Sequence, residues 1–212
     1  DRLLFATGIA NIHHRHPGVT KQAAATLAEM SGNRFILGLG VSHAPLVEGL
    51  RQLSYSKPLE SMRKYLTAMK NSPYTSVPPS VEPPCVLAAL GPKMLELSGE
   101  EADGAHPYWT TPEHTAKARE IIGKDKMLCV EQKVAFTTSR EIAHDTARLE
   151  LARYIRLPNY RNNWKRLGFT DEEIDSTSDH FINELVVWGT LDQINQRLNE
   201  HEEAGATHVC IQ

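Results

Sequence analysis

Three short segments hold residues whose types and spacing could do chemistry. The first, Leu90-Gly91-Pro92-Lys93, follows an apolar run and opens a helical pattern. Backbone N–H groups at a helix start, the positive end of its dipole and a lysine make an anion site, and a glycine lets a ligand approach the backbone. Pro92 has no N–H, so the donors are Gly91 and the residues from Lys93 onward. The same four residues also read as an ordinary strand-to-helix turn with a solvated lysine. The second segment, Gly38-Leu39-Gly40-Val41-Ser42, looks like part of a dinucleotide fingerprint. It continues into His43-Ala44-Pro45 instead of a helix with a third glycine, and so lacks the context that fingerprint needs. The third, His13-His14-Arg15-His16, suggests a metal. Four adjacent side chains of one loop cannot all converge on one ion, and no carboxylate spacing follows, so no metal is expected.

The elements that would position these segments alternate. Apolar runs predict strands at Leu3 to Ala6, Phe35 to Gly40, Cys85 to Ala89, Ala102 to His106, Leu128 to Phe136 and His208 to Ile211. Between them, apolar residues at helical spacing predict helices from Pro17 to a stop at Gly32-Asn33, over Pro58 to Asn71, Lys93 to Gly99, and Pro112 to Ile122. Thr138 with Glu141 has capping-box spacing before a helix reaching Ile155, and Thr190 with Gln193 repeats it before Leu191, Ile194 and Leu198. A further helix is predicted from Ser178 to Trp188, and residues 41 to 57 as a long loop. Strands separated throughout by helices imply parallel pairing with right-handed crossovers. Six such strands suit either an open doubly wound sheet or part of a closed barrel of eight.

Composition narrows the function. The chain has 212 residues, 41% hydrophobic and 23% charged, which suits one domain, 1–212, with a sizeable core. A net charge of -3 with dispersed Lys and Arg gives no footprint for nucleic acid, and the mixed aromatic and basic run Asn159 to Arg166 alone does not make one. No apolar run is long enough to span a bilayer, and Asp1-Arg2-Leu3-Leu4 lacks the parts of a signal peptide, so a cytoplasmic location is expected. Cys85, Cys129 and Cys210 each sit in an apolar stretch and read as buried, reduced thiols in strands.

Several ordered segments carry a resemblance: Ala6-Thr7-Gly8-Ile9-Ala10-Asn11-Ile12 with Arg15-His16-Pro17, Asn33 through Pro45, Ala88-Ala89-Leu90-Gly91-Pro92-Lys93-Met94, and Ala102-Asp103-Gly104-Ala105. In that order they resemble the third to sixth strand ends of the luciferase-like family of (β/α)8 TIM barrels. Leu157-Pro158-Asn159-Tyr160-Arg161-Asn162-Asn163 resembles the branch of that family assigned to the deazaflavin coenzyme F420. The resemblance therefore implies a TIM barrel of the luciferase-like type, present here as six strands without the first two βα units, with two unpaired sheet edges. It implies an oxidoreductase moving a hydride between F420 and a small organic substrate. Two alternatives stand beside it: an FMN-dependent monooxygenase on the same fold, and a truncated, non-catalytic paralogue acting as a binding or assembly module.

The resemblance also distributes roles. A non-prolyl cis peptide and bulge are implied at Gly8-Ile9, pressing backbone and a small apolar side chain against the coenzyme ring. Gly8, Ile9, Ala10, Gly40, Val41, Ser42, Leu90, Gly91, Lys93 and Arg15 are the expected cofactor-binding residues, with the phosphate at Gly91 and Lys93. His43 aligns with an acidic position used in proton transfer, work an imidazole can do near neutral pH, so His43 is the expected catalytic residue. His106, Tyr108 and Trp109 are expected to wall the substrate pocket, while Asp103 orders its turn. A lid or inter-subunit contact is expected of the segment 159–166. The expected partners are a small-molecule substrate and a second copy of the chain, with neither nucleic acid nor membrane.

Overall fold

The computed structural model describes residues 3–212; Asp1 and Arg2, the start of the segment read for a signal peptide, lie outside it. Its centre is the strand β3 (Phe35–Gly40), buried along its whole length. Side chains alternate across a strand. Phe35, Leu37 and Leu39 point outward, where they pack with Met62, Tyr65 and Leu66 of helix α2 (Pro58–Asn71) and Ala24 of helix α1 (Pro17–Ser31). Ile36 points inward, in a small cluster with Val86 and Cys129. The two remaining inward positions are Gly38 and Gly40.

Those glycines admit the preceding strand, which is interrupted. Strand β1 (Phe5–Ala6) pairs with β3 as Ala6 to Ile36, and β2 (Ala10–Asn11) resumes as Ala10 to Leu39. Four steps on one strand thus oppose three on the other, so Thr7-Gly8-Ile9 holds one extra residue, a bulge. A Cβ on Gly38 would lie 1.9 Å from the Thr7 carbonyl oxygen, and one on Gly40 2.4 Å from Ile9 Cδ1. Where the ladder breaks, the Thr7 hydroxyl replaces it, donating to the Gly38 carbonyl at 2.8 Å and accepting from the Gly38 N–H at 2.9 Å. The Gly8–Ile9 peptide bond is cis, as the resemblance implied.

The rest of the sheet follows chain order and is parallel throughout. β3 pairs with β4 (Cys85–Leu87), β4 with β5 (Gly104–Ala105), and β5 with β6 (Met127–Ala135). β6 then serves two partners: Cys129 to Gln132 pair with β8 (His208–Ile211), and Lys133 to Ala135 with β7 (Val186–Trp188). Helices α3 (Pro92–Glu101), α4 (Pro112–Ile122), α5 (Arg140–Leu151), α6 (Pro158–Arg166), α7 (Asp171–Ser176), α8 (Asp179–Leu185) and α9 (Leu191–Glu203) fill the intervals. The sheet curls into a half-barrel around a cavity of about 220 Å³ lined by Ala6, Gly8, Ile36, Cys129, Glu131 and Cys210, among others. Each thiol lies in a strand and is free among the described residues; Cys129 is buried as expected, whereas Cys85 and Cys210 are half-buried. Burial raises Cys85 to about 12 and Cys129 to about 11, so both are protonated.

Five expectations need correction. Residues 41 to 57, read as a long loop, contain a π-helix at Pro45–Leu50. The helix predicted over Ser178 to Trp188 ends at Leu185, because Val186-Val187-Trp188 is β-branched and aromatic and finds an open partner in the end of β6. The capping box at Thr138 and Glu141 does not form. Ser139 is the N-cap, accepting from the Ile142 N–H, and Thr137 holds the turn before it. That helix also stops at Leu151 and continues as turns. Finally, the sheet has eight strand segments among the described residues, the predicted six plus the continuation Ala10–Asn11 and Val186–Trp188.

Candidate functional site

In a parallel β/α sheet, ligands collect beyond the carboxyl ends of the strands. A cavity of about 590 Å³ lies there, and residues that follow β1, β3, β4 and β5 meet in it. Ile9, Gly40, Val41, Ser42, His43, Leu90, Gly91, Lys93, His106 and Tyr108 all line it. Gly8 lies one level deeper, on the inner cavity, where a Cβ would come 3.4 Å from His106 Nε2. His106 lines both cavities and forms the floor between them.

Besides Gly8, three expected residues do not reach this cavity. Ala10 packs on the outer core because the bulge turns its side chain to the helix layer. Arg15 is exposed, and only its carbonyl is engaged, accepting from Tyr65 Oη at 3.1 Å. Trp109 is 1% exposed and lines a different cavity, its carbonyl accepting from the Trp164 indole at 2.9 Å. The histidine loop is structural as well, since His16 Nδ1 caps α1 by accepting from Gly18 N–H.

The anion end of the cavity is more basic than the sequence suggested. Gly91 is the N-cap of α3 and has no side chain to cap it. A Cβ there would lie 3.1 Å from a guanidinium nitrogen of Arg166 at the end of α6, so two distant cations, Lys93 and Arg166, flank one helix start. Neighbouring cations are already paired: Arg161 with Asp171 and Asp175, and Lys165 with Asp171. Among the described residues, Lys93 and Arg166 have no carboxylate within 4.0 Å. The sequence contained Arg166 in a run read as a lid, and no local signal could link it to Gly91, 75 positions away.

The opposite wall is aromatic and half-dry. His43 stacks at 5.6 Å on Tyr160, which packs on Tyr154 and Trp164. Burial holds the His43 pKa below 6.5, and a hydrogen bond to Asn159 opposes this only in part, so the ring is neutral at pH 7. Burial, then contact with Tyr154, raises Tyr108 well above the ordinary phenol range, so it acts as a neutral donor. Ser42 is held at φ 60, and its carbonyl accepts from Tyr55 Oη at 3.1 Å. Beneath them, His106 Nδ1 lies 2.6 Å from the Cys129 carbonyl, which can only accept, so Nδ1 donates and Nε2 points away from it. Nε2 faces Glu131 at 3.8 Å.

A half-barrel of parallel βα units, with a helix start flanked by two cations at its strand ends, defines an α/β protein of the barrel type. The chain belongs to the luciferase-like monooxygenase family, which it matches over residues 1–208. It is 25% identical to a Mycobacterium tuberculosis protein named as a coenzyme F420-dependent oxidoreductase, covering 100% of this chain and 79% of that one. It is 26% identical to a 5,10-methylenetetrahydromethanopterin reductase of Archaeoglobus fulgidus, covering 95% and 74%. Among solved structures it is similar to an F420-dependent secondary alcohol dehydrogenase in complex with an F420–acetone adduct. That match has a TM-score of 0.78 at 16% identity, over 100% of this chain and 74% of the other. No helix of the described residues is long and apolar enough to cross a membrane.

Proposed function

We propose that this chain binds coenzyme F420 in the cavity at its strand ends and moves a hydride between it and a small organic substrate. The observation that carries the reading is the unpaired Lys93–Arg166 couple at the start of α3, opening on a largely apolar cavity of about 590 Å³. The residues fit such a coenzyme. Gly91 leaves the helix start open to a phosphate, Lys93 and Arg166 supply positive charge, and Ile9 and Val41 present apolar surface to a planar ring. The Mycobacterium tuberculosis relative, whose name carries this coenzyme, supports the same reading.

When bound, the deazaflavin would supply the hydride donor or acceptor, and the protein orientation, dryness and the proton. Gly91, Lys93 and Arg166 would hold the acidic tail. The aromatic wall of Tyr108, Tyr154 and Tyr160 excludes water on the side where the substrate enters. His43, neutral at pH 7, takes the proton from a substrate hydroxyl in the oxidising direction and returns it in the reducing one.

Titration of the protein with F420 and, separately, with FMN tests the reading. Saturable binding selective for F420 is the expected result. Tight FMN with oxygen consumption would instead favour the monooxygenase reading, for which the family's own description speaks. Binding of neither would favour a non-catalytic module.

A further inference from the structure

The site just proposed uses only part of the polar equipment at this rim. On β6, Cys129, Glu131 and Lys133 alternate onto the concave face, and Lys133, the highest of the three, is 8% exposed. Its ammonium sits 4.8 Å from the ring centre of Tyr108 and 5.1 Å from that of Trp109. It hydrogen-bonds Gln212 Oε1, and among the described residues no carboxylate lies within 4.0 Å of it. An ammonium has three N–H donors, so two remain. Trp109 is 1% exposed, yet among the described residues its indole N–H has no partner. A buried donor left unpaired is costly, and it is retained where a ligand supplies the acceptor.

Both groups line one cavity of about 320 Å³, separate from the coenzyme cavity, whose other walls include Ala135, Thr146, Glu150 and Val186. Glu150, the anion in that wall, lies 3.6 Å from Arg153, and Glu131 and Glu150 act on Lys133 from beyond 4.0 Å. Tyr108 separates the two cavities: it lines the coenzyme cavity, and Lys133 covers its ring face.

We infer that this side cavity binds a carboxylate, with the Lys133 ammonium and the Trp109 indole N–H as its donors. The inference stands apart from the coenzyme reading and names a ligand class: a short aliphatic acid. One cation beside one neutral donor matches a single negative charge and leaves the second charge of a phosphate dianion unmatched. The alanine and valine walls suit a short hydrocarbon stem.

The test uses 2-oxobutanoate and its neutral counterpart 2-butanone, titrated calorimetrically into the F420-saturated full chain and into the chain alone. Wild-type protein should bind 2-oxobutanoate the more tightly. Lys133→Met, which keeps the stem and drops the charge, should weaken that binding by about 10- to 100-fold. Trp109→Phe, which removes one N–H and keeps a ring, should weaken it about tenfold, and neither change should alter 2-butanone binding. If Lys133→Met melts early, Trp109→Phe decides. The subsite is overturned if both variants bind 2-oxobutanoate like wild type, or if wild type binds the neutral ketone equally well. It is overturned too if F420 binds and 2-oxobutanoate does not. If F420 fails to bind while 2-oxobutanoate binding still depends on Lys133, the coenzyme reading falls and the subsite stands.

Discussion

Replacing Gly91 with aspartate should separate coenzyme binding from folding. Gly91 has φ -89 and ψ 157, extended backbone that aspartate adopts freely, and it is the N-cap of α3. Aspartate is a better N-cap than glycine by a few tenths of a kcal/mol, so the fold should hold or gain slightly. Its carboxylate, however, would land on the Arg166 guanidinium, since the Cβ alone would lie 3.1 Å from it. The substitution thus neutralises one cation and sets a fixed anion where a phosphate would bind. An anion at a helix start contributes up to about 2 kcal/mol, and a hydrogen bond to a charged group about 1.5 to 3. Both Lys93 and Arg166 are exposed, so these values are discounted to a net loss of about 3 kcal/mol, roughly 100-fold in Kd. Lys93→Ala removes one solvated charge and should cost less than about 1 kcal/mol, a few-fold. Fluorescence titration with F420, beside thermal melts of each variant, reads both quantities. A silent Gly91→Asp together with a Lys93→Ala that abolishes binding would show that the anion does not sit at this helix start.

Thr7→Val keeps the shape of the side chain and removes both hydrogen bonds that replace the ladder at Gly38, so urea denaturation should show a loss of about 1 to 3 kcal/mol. Gly38→Ala drives a methyl against the Thr7 carbonyl, which cannot yield as a flexible side chain would, and should destabilise by about 3 kcal/mol or more; an unchanged melting temperature would contradict the close approach. His201 is fully buried between Thr115 and Gln132, and burial, then Arg197, lowers its pKa to about 4. The unfolded state therefore binds a proton that the folded state refuses between about pH 6.5 and 4. Stability is complete above pH 6.5 and falls through that window by up to about 3 kcal/mol; His201→Gln should flatten the fall, and an equally steep profile in the variant would contradict the assignment. His43, its pKa lowered by burial, should titrate below 6.5 in an imidazole NMR experiment, and a midpoint at or above that value would count against it as the neutral proton acceptor.

The sequence by itself determined the order of the fold, because apolar runs ended by glycine or proline and spaced by amphipathic helices leave parallel pairing with little competition. It also placed most of the cavity lining, since residues that follow buried parallel strands must gather at one rim. Local pattern failed where two elements compete for the same residues. Val186-Val187-Trp188 continues a helical period, and only the free end of β6 makes it a strand. The glycines of β3 were legible as small residues, but their partner is the bulged strand above them, a contact between segments about thirty positions apart. The same distance hid the anion site's second cation and the side cavity. Arg166 reaches Gly91, and Lys133 meets Tyr108 and Trp109, only once the sheet has curled and α6 has closed over its rim. Periodicity reports which face of an element is apolar, whereas the meeting of charges from different elements is fixed by packing, and so it was the tertiary structure that decided it.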